Sequence, residues 1–231
     1  MTMQLFGTGR GLKPFFAYCG DKWRVAKQCP APAHDTIIEP FAGSAGYSLH
    51  YPSKNVRLID SDERVCGVWQ YLISASEDEI LKLPDLQHGE DVASLDLPQE
   101  AKWLIGFWTN KRNGAKAAWR RRQRTQWGTE VRMRIALQLP QIRHWQVTHG
   151  RYEESGDEQA TWFIDPPPQH TSSKSLDYGC LGAWCKARKG QVIVLEHEDA
   201  DWLPFRPHIP NTGEVIWTNS DSPATTLDLF G

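Results

Sequence analysis

What this 231-residue chain lacks narrows its identity first. No stretch approaches the roughly 18 apolar residues of a membrane span. Met1 to Phe16 carries Arg10 and Lys13 but no apolar core of signal-peptide length, so a soluble, cytoplasmic protein is expected. The five cysteines (Cys19, Cys29, Cys66, Cys180 and Cys185) are odd in number and form no CxxC pair. That argues against a disulfide framework and a structural zinc site, and for reduced, mostly buried thiols. There is no internal repeat, and Gly7-Thr8-Gly9-Arg10-Gly11 is the one low-complexity hint. Charge of one sign is lacking too: 26 Lys and Arg against 28 Asp and Glu leave a formal charge of −2, which taken whole is not a nucleic-acid-binding composition. With 40% apolar and 23% charged residues the chain is neither disordered nor fibrous, and one domain with room for an insertion is expected.

What is present is a series of short apolar runs with acids, glycine or proline directly behind them. Thr36-Ile37-Ile38-Glu39-Pro40 is the first and Val56-Arg57-Leu58-Ile59-Asp60 the second, followed by a helix predicted from about Glu63 to Ala75. Gln146-Val147-Thr148 is a third. Thr161-Trp162-Phe163-Ile164 before Asp165-Pro166-Pro167 is a fourth, because prolines cannot continue a central strand. A helix predicted over Tyr178 to Lys189 ends at Gly190 and leads to a fifth run, Gln191 to Leu195, and Glu214 to Trp217 is a sixth. The alternation predicts an α/β, doubly wound sheet with its ligand at the carboxyl edge.

The charge is unevenly distributed. Lys102 to Arg134 holds ten basic residues and one acid, Glu130, for +9, which leaves −11 on the rest of the chain. Trp103, Phe107, Trp108, Trp119 and Trp127 are interleaved with that positive charge, either as core or as stacking surface. The near-neutral total is therefore a cancellation between a basic segment and an acidic body.

Three places carry chemistry. Glu39-Pro40-Phe41-Ala42-Gly43-Ser44-Ala45-Gly46 puts an acid at a strand end and then small residues, so that a ligand can approach the backbone; its spacing is not GxGxxG and no GK[ST] follows. Asp60 suits the two hydroxyls of a ribose, or equally a surface acid at a helix start. Asp165-Pro166-Pro167 presents a carboxylate and the Pro166 carbonyl together, two acceptors that fit an exocyclic amino group, though a rigid proline loop has the same residues.

In combination these segments resemble the Dam-type DNA adenine-N6 methyltransferases that use S-adenosylmethionine, with the motif order of the alpha group. Lys13-Pro14-Phe15-Phe16 with Tyr18, Gly20 and Lys22 looks like the N-terminal cofactor motif, and Glu39-Pro40-Phe41 with Gly43 like the cofactor loop. Leu58-Ile59-Asp60 with Asp62 looks like the ribose-binding strand end, and Asp165-Pro166-Pro167 like the catalytic motif. The resemblance implies a Rossmann-like methyltransferase sheet formed by residues 1–71 and 142–231, with a mainly helical, basic target-recognition insertion at 72–141. It implies an enzyme of bacteria or their phages that binds S-adenosylmethionine through Tyr18, Lys22, Glu39, Phe41, Gly43, Asp60, Tyr152 and Asp165 and methylates a flipped adenine in double-stranded DNA. The DNA contacts would come from Lys111, Arg112, Asn113, Lys116, Arg120, Arg121, Arg122 and Arg124.

Three positions depart from the family. Pro168 stands where an aromatic, usually Tyr, stacks on the flipped base; Ala45 replaces the second glycine of the cofactor loop; and Arg151 replaces an acid before Tyr152. Base stacking on an aromatic contributes roughly 1–3 kcal/mol. Pro168 therefore admits other outcomes, namely methylation of cytosine N4 or of RNA, or a DNA-binding homologue with impaired catalysis. His170 is a possible substitute ring or a loop histidine. Glu196-His197-Glu198-Asp199 contains ligand-type residues, but neighbours on an extended chain diverge and no partner cluster at ligand spacing is evident, so no metal is expected. The C-terminal Leu227, Leu229 and Phe230 are similar to the Leu-x-Leu-Phe peptides that bind the bacterial sliding clamp, without their leading Gln.

Overall fold

The computed structural model describes residues 11–86, 90–109, 127–170, 176–206 and 208–219. Its strands are β1 (Thr36–Glu39), β2 (Asn55–Asp60), β3 (Gln146–His149), β4 (Ala160–Ile164), β5 (Gly190–His197), β6 (His208–Ile209) and β7 (Glu214–Thr218). The helices are α1 (Glu63–Ser74), α2 (Glu77–Lys82), α3 (Gln99–Thr109), α4 (Thr129–Gln138) and α5 (Tyr178–Lys186). Asp62 opens α1 by accepting the Arg64 N–H at 2.9 Å, and Asp177 opens α5 by accepting that of Cys180 at 3.0 Å. Helix α5 stops at Lys186, three residues before the Lys189 expected, and Gly190 already pairs with Ala160 as the first residue of β5.

The seven strands form one sheet in the order β3-β2-β1-β4-β5-β7-β6. The first five are parallel, as expected, while β7 runs antiparallel to β5 and β6 antiparallel to β7. The chain between β5 and β7 has no crossover helix, and without one it returns in the opposite direction. Two-residue β6 leaves too little sequence pattern to have been anticipated.

Alternate strand residues serve opposite faces. Ile37, Leu58, Phe163 and Ile193 pack with Val68, Trp69 and Leu72 of α1 and Leu104 and Phe107 of α3. Ile38, Ile59, Trp162 and Val194 pack with Leu181 and Cys185 of α5. Helices thus cover both faces, which is the α/β arrangement expected. Ile80 of α2 and Ile135 of α4 lie in the same buried cluster as the sheet, so the described part of 72–141 is helical and shares the core of the main body. The order of strands reverses between β1 and β4, since β2 lies to one side of β1 and β4 to the other. The carboxyl ends of β1 and β4 therefore diverge around a crevice, the usual seat of a ligand in such sheets. Among the described residues no helix is long and apolar enough to cross a membrane.

Candidate active site

A cleft of about 350 Å³ opens at that reversal, within the size range of small-molecule sites. Tyr18 and Lys22 line it from the segment before β1, Glu39, Phe41 and Gly43 from the end of β1, Asp60 from the end of β2, and Asp165, Pro166, Pro167 and Pro168 from the end of β4. Of the residues expected to touch a cofactor, Tyr152 alone lies elsewhere. It is buried behind Phe41, with their rings stacked at 5.4 Å, and meets Trp184 edge-on at 5.1 Å. Its role is to support the cleft wall.

The turn after β1 is held by the acid that closes β2. Asp60 accepts the Gly43 N–H and the Asp62 N–H, each at 2.9 Å, one on each carboxylate oxygen. Trp69 of α1 donates its indole N–H to the Gly43 carbonyl at 2.9 Å. Gly46 touches the chain around Lys22 so closely that a Cβ there would sit 2.8 Å from the Trp23 nitrogen, which only glycine avoids. Ala45 adopts φ 55°, a left-handed conformation that explains why glycine suits this place in the loop and that costs an L-residue roughly 1–2 kcal/mol.

At the other wall Lys22 joins two carboxylates. Its ammonium lies 3.6 Å from Asp165 and 3.3 Å from Glu214. Desolvation works against this charge, but Asp165 and Glu214 outweigh it and hold the lysine above its ordinary pKa. Asp165 itself is lifted to about 7, first by desolvation and further by Glu214 and Glu196, against the pull of Lys22. Glu214 was invisible to sequence reasoning as a site residue. It opens β7, and the antiparallel register that sets it opposite His197 brings it to Lys22, although it does not itself line the cleft. Asp21 was likewise missed: it accepts the Ser44 hydroxyl at 3.1 Å and the Trp23 N–H at 2.9 Å, fastening the N-terminal segment to the glycine turn. Asp21, Asp60 and Asp165 line the cleft with Lys22, the one basic residue of its described lining, while Asp62 is ion-paired with Arg64, so the balance of charge is mildly acidic.

Glu39 is buried, and its carboxylate accepts the Ser48 N–H at 2.7 Å. Desolvation lifts it from 4.5 to about 8, although the bonds from Ser48 pull the other way. Between these two values the folded protein holds a proton that the unfolded chain has lost, so this group makes stability fall as pH rises through the window. Glu39→Gln keeps an acceptor for Ser48 and removes the titration. Urea unfolding is expected to show the variant gaining on the wild-type protein between about pH 5 and about pH 8.5, and a constant difference across that range would refute the assignment.

Beyond Pro168 the chain turns away. His170 is not part of the cleft lining and packs its ring 4.5 Å from that of His197, so it does not replace the missing aromatic. Buried Glu196 receives the His197 N–H at 2.8 Å, the Trp202 indole N–H at 3.1 Å and the Gln169 N–H at 3.3 Å.

Of the two readings open for the aromatics of the basic segment, the structure shows core packing for those it describes. Phe107 and Trp127 are core residues, and Trp103 and Trp108 pack against the core. The Trp108 and Trp127 indoles donate to the carbonyls of Phe15 at 3.0 Å and Pro84 at 2.9 Å. Arg132 is buried, ion-paired with Asp85, and not a surface cation. Lys111, Arg112, Asn113, Lys116, Arg120, Arg121, Arg122 and Arg124, together with Leu227, Leu229 and Phe230, lie outside the described residues. No protein-family model matches the chain, and no curated protein matches it in sequence.

Proposed function

We propose that this protein transfers a methyl group from S-adenosylmethionine to the N6 amino group of an adenine flipped out of double-stranded DNA. One observation carries the reading: segments far apart in the chain, each similar to a different motif of one methyltransferase family, line a single cleft at the sheet's switch point. The residues present also fit the cofactor. The carboxyl-rich lining complements a sulfonium, and Asp60 retains lone pairs for hydroxyl donors.

When bound, S-adenosylmethionine supplies an electrophilic methyl group. The chain supplies acceptors and position. Asp165 and the Pro166 carbonyl take hydrogen bonds from the amino group, which turns its lone pair toward the methyl and stabilises the positive charge that develops on nitrogen. Lys22 favours the ionised form of Asp165 against its desolvation, and Glu214 draws on the same ammonium. Flipping the base costs a few kcal/mol. Phosphate contacts from the basic stretch Lys111 to Arg124 would supply compensating, salt-sensitive affinity.

Pro168 lines the cleft where the family has its stacking aromatic, and this favours a second reading in which cytosine N4 or RNA is the acceptor, or in which DNA is bound without transfer. Incubation with S-adenosylmethionine and unmethylated duplex DNA, followed by nucleoside mass spectrometry, separates them. N6-methyladenine is the expected product. N4-methylcytosine, or unmodified DNA from a protein that still binds it, would shift the assignment to the second reading.

A further inference from the structure

We propose that His170, His197 and Asp199 form a binding site for a divalent transition-metal ion of the zinc class, beside the cleft and independent of the methyl-transfer reading. The ligand atoms of these three residues lie within 4.8 Å of one another. His197 Nδ1 is 3.2 Å from Asp199 Oδ2, and the two histidine rings are 4.5 Å apart. Tetrahedral coordination with bonds of about 2.1 Å separates ligand atoms by about 3.4 Å, so modest side-chain rotation closes the set around one ion. Two imidazoles and a carboxylate select zinc, cobalt or nickel over magnesium and calcium, which prefer all-oxygen shells.

The cluster is assembled from two parts of the chain: the run Glu196 to Asp199 supplies two of its residues, and the third comes from a distant loop that sequence spacing did not reveal. His197 ends β5, and Asp199 follows in a turn closed by the Ala200 N–H to the His197 carbonyl at 3.0 Å. His170 arrives from the proline loop after β4, and its neighbour Gln169 is fixed at three points. The Gln169 backbone N–H reaches Glu196 at 3.3 Å, its side-chain amide reaches Asp201 at 3.0 Å, and its side-chain oxygen accepts the Asp201 N–H at 3.3 Å. These bonds hold His170 beside His197 before any ion arrives, which reduces the ordering cost of binding. His170 and Asp199 are exposed and His197 is half-exposed, so an ion has access and keeps at least one position for water. A bound ion would cross-link the loop that carries Pro168 to the end of β5, and thereby stiffen the cleft's rim.

Untagged protein titrated with Zn²⁺ by calorimetry, and with Co²⁺ by visible absorption, is expected to bind one ion per chain and to melt at a higher temperature with Zn²⁺ present. His170→Ala and Asp199→Ala change exposed side chains and should each weaken binding at least about 10-fold, the scale on which even outer-sphere partners act. Glu198→Gln, one residue from two of the ligands, should leave binding unchanged. Undiminished binding in His170→Ala and Asp199→Ala, an equal loss in Glu198→Gln, or the absence of saturable binding by the wild-type protein would each overturn the proposal.

Discussion

Replacing Asp165 with alanine is expected to abolish methyl transfer while leaving the binding of DNA largely intact. The residue follows β4 where Pro166 and Pro167 stop the strand, and its carboxylate is held 3.6 Å from the Lys22 ammonium. Loss of one aligned acceptor for charge that develops only in the transition state slows such reactions by about 100- to 1000-fold. Here the same carboxylate also orients the amino group, which makes that range a lower bound. On the proposed reading, DNA affinity rests on another part of the chain, the basic stretch Lys111 to Arg124. Single-turnover rates and fluorescence titration of DNA separate these contributions. Because desolvation lifts Asp165 to about 7, its acceptor form accumulates as pH rises through that value. The wild-type rate should climb across this window and level off above it. A variant that still labels DNA at the wild-type rate would remove Asp165 from the mechanism.

The largest effect on stability is expected from Trp69→Ala. This side chain is fully buried, and meets Phe15, Phe16 and Trp145 at ring separations of 5.7, 5.5 and 5.7 Å. Truncating a large buried aromatic costs about 3–5 kcal/mol through lost transfer energy and the cavity left behind. The substitution also removes the donor to the Gly43 carbonyl, so the damage reaches the cleft floor. Trp69→Phe fills most of the space but leaves that carbonyl without its indole partner, at a cost of about 1–3 kcal/mol. Urea unfolding of the two variants resolves the packing and hydrogen-bond contributions. A loss below about 1 kcal/mol for Trp69→Ala would contradict the picture of a turn propped from beneath by α1.

Much of the architecture was legible in the order of residues. Apolar runs such as Thr161 to Ile164 end in acids or prolines because the strands are buried on both faces and stop at a polar edge, and that pattern is visible without coordinates. The cleft residues at those ends followed from it. What stayed hidden depends on pairing between distant segments. Glu214 reaches Lys22 only through the antiparallel register of β7, and His170 meets His197 only because Gln169 is stitched to Glu196 and Asp201. The tryptophans stayed ambiguous for a different reason. Beside arginines they look like a stacking surface, yet a helix buries its apolar stripe whatever charge lies on its other face, and indole N–H groups are satisfied by carbonyls inside the protein. Tyr152 shows the same limit, since its neighbours in sequence do not reveal that its ring stacks on Phe41 of the cleft lining.

The central claim is that the cleft between β1 and β4 delivers a methyl group to adenine. The most direct measurement supplies S-adenosylmethionine with a deuterated methyl group to the protein and unmethylated duplex DNA, then weighs the digested nucleosides. The proposed function predicts labelled N6-methyladenine from the wild-type protein and none from Asp165→Ala. Equal label from both proteins, label confined to cytosine, or no labelled nucleoside at all would contradict it.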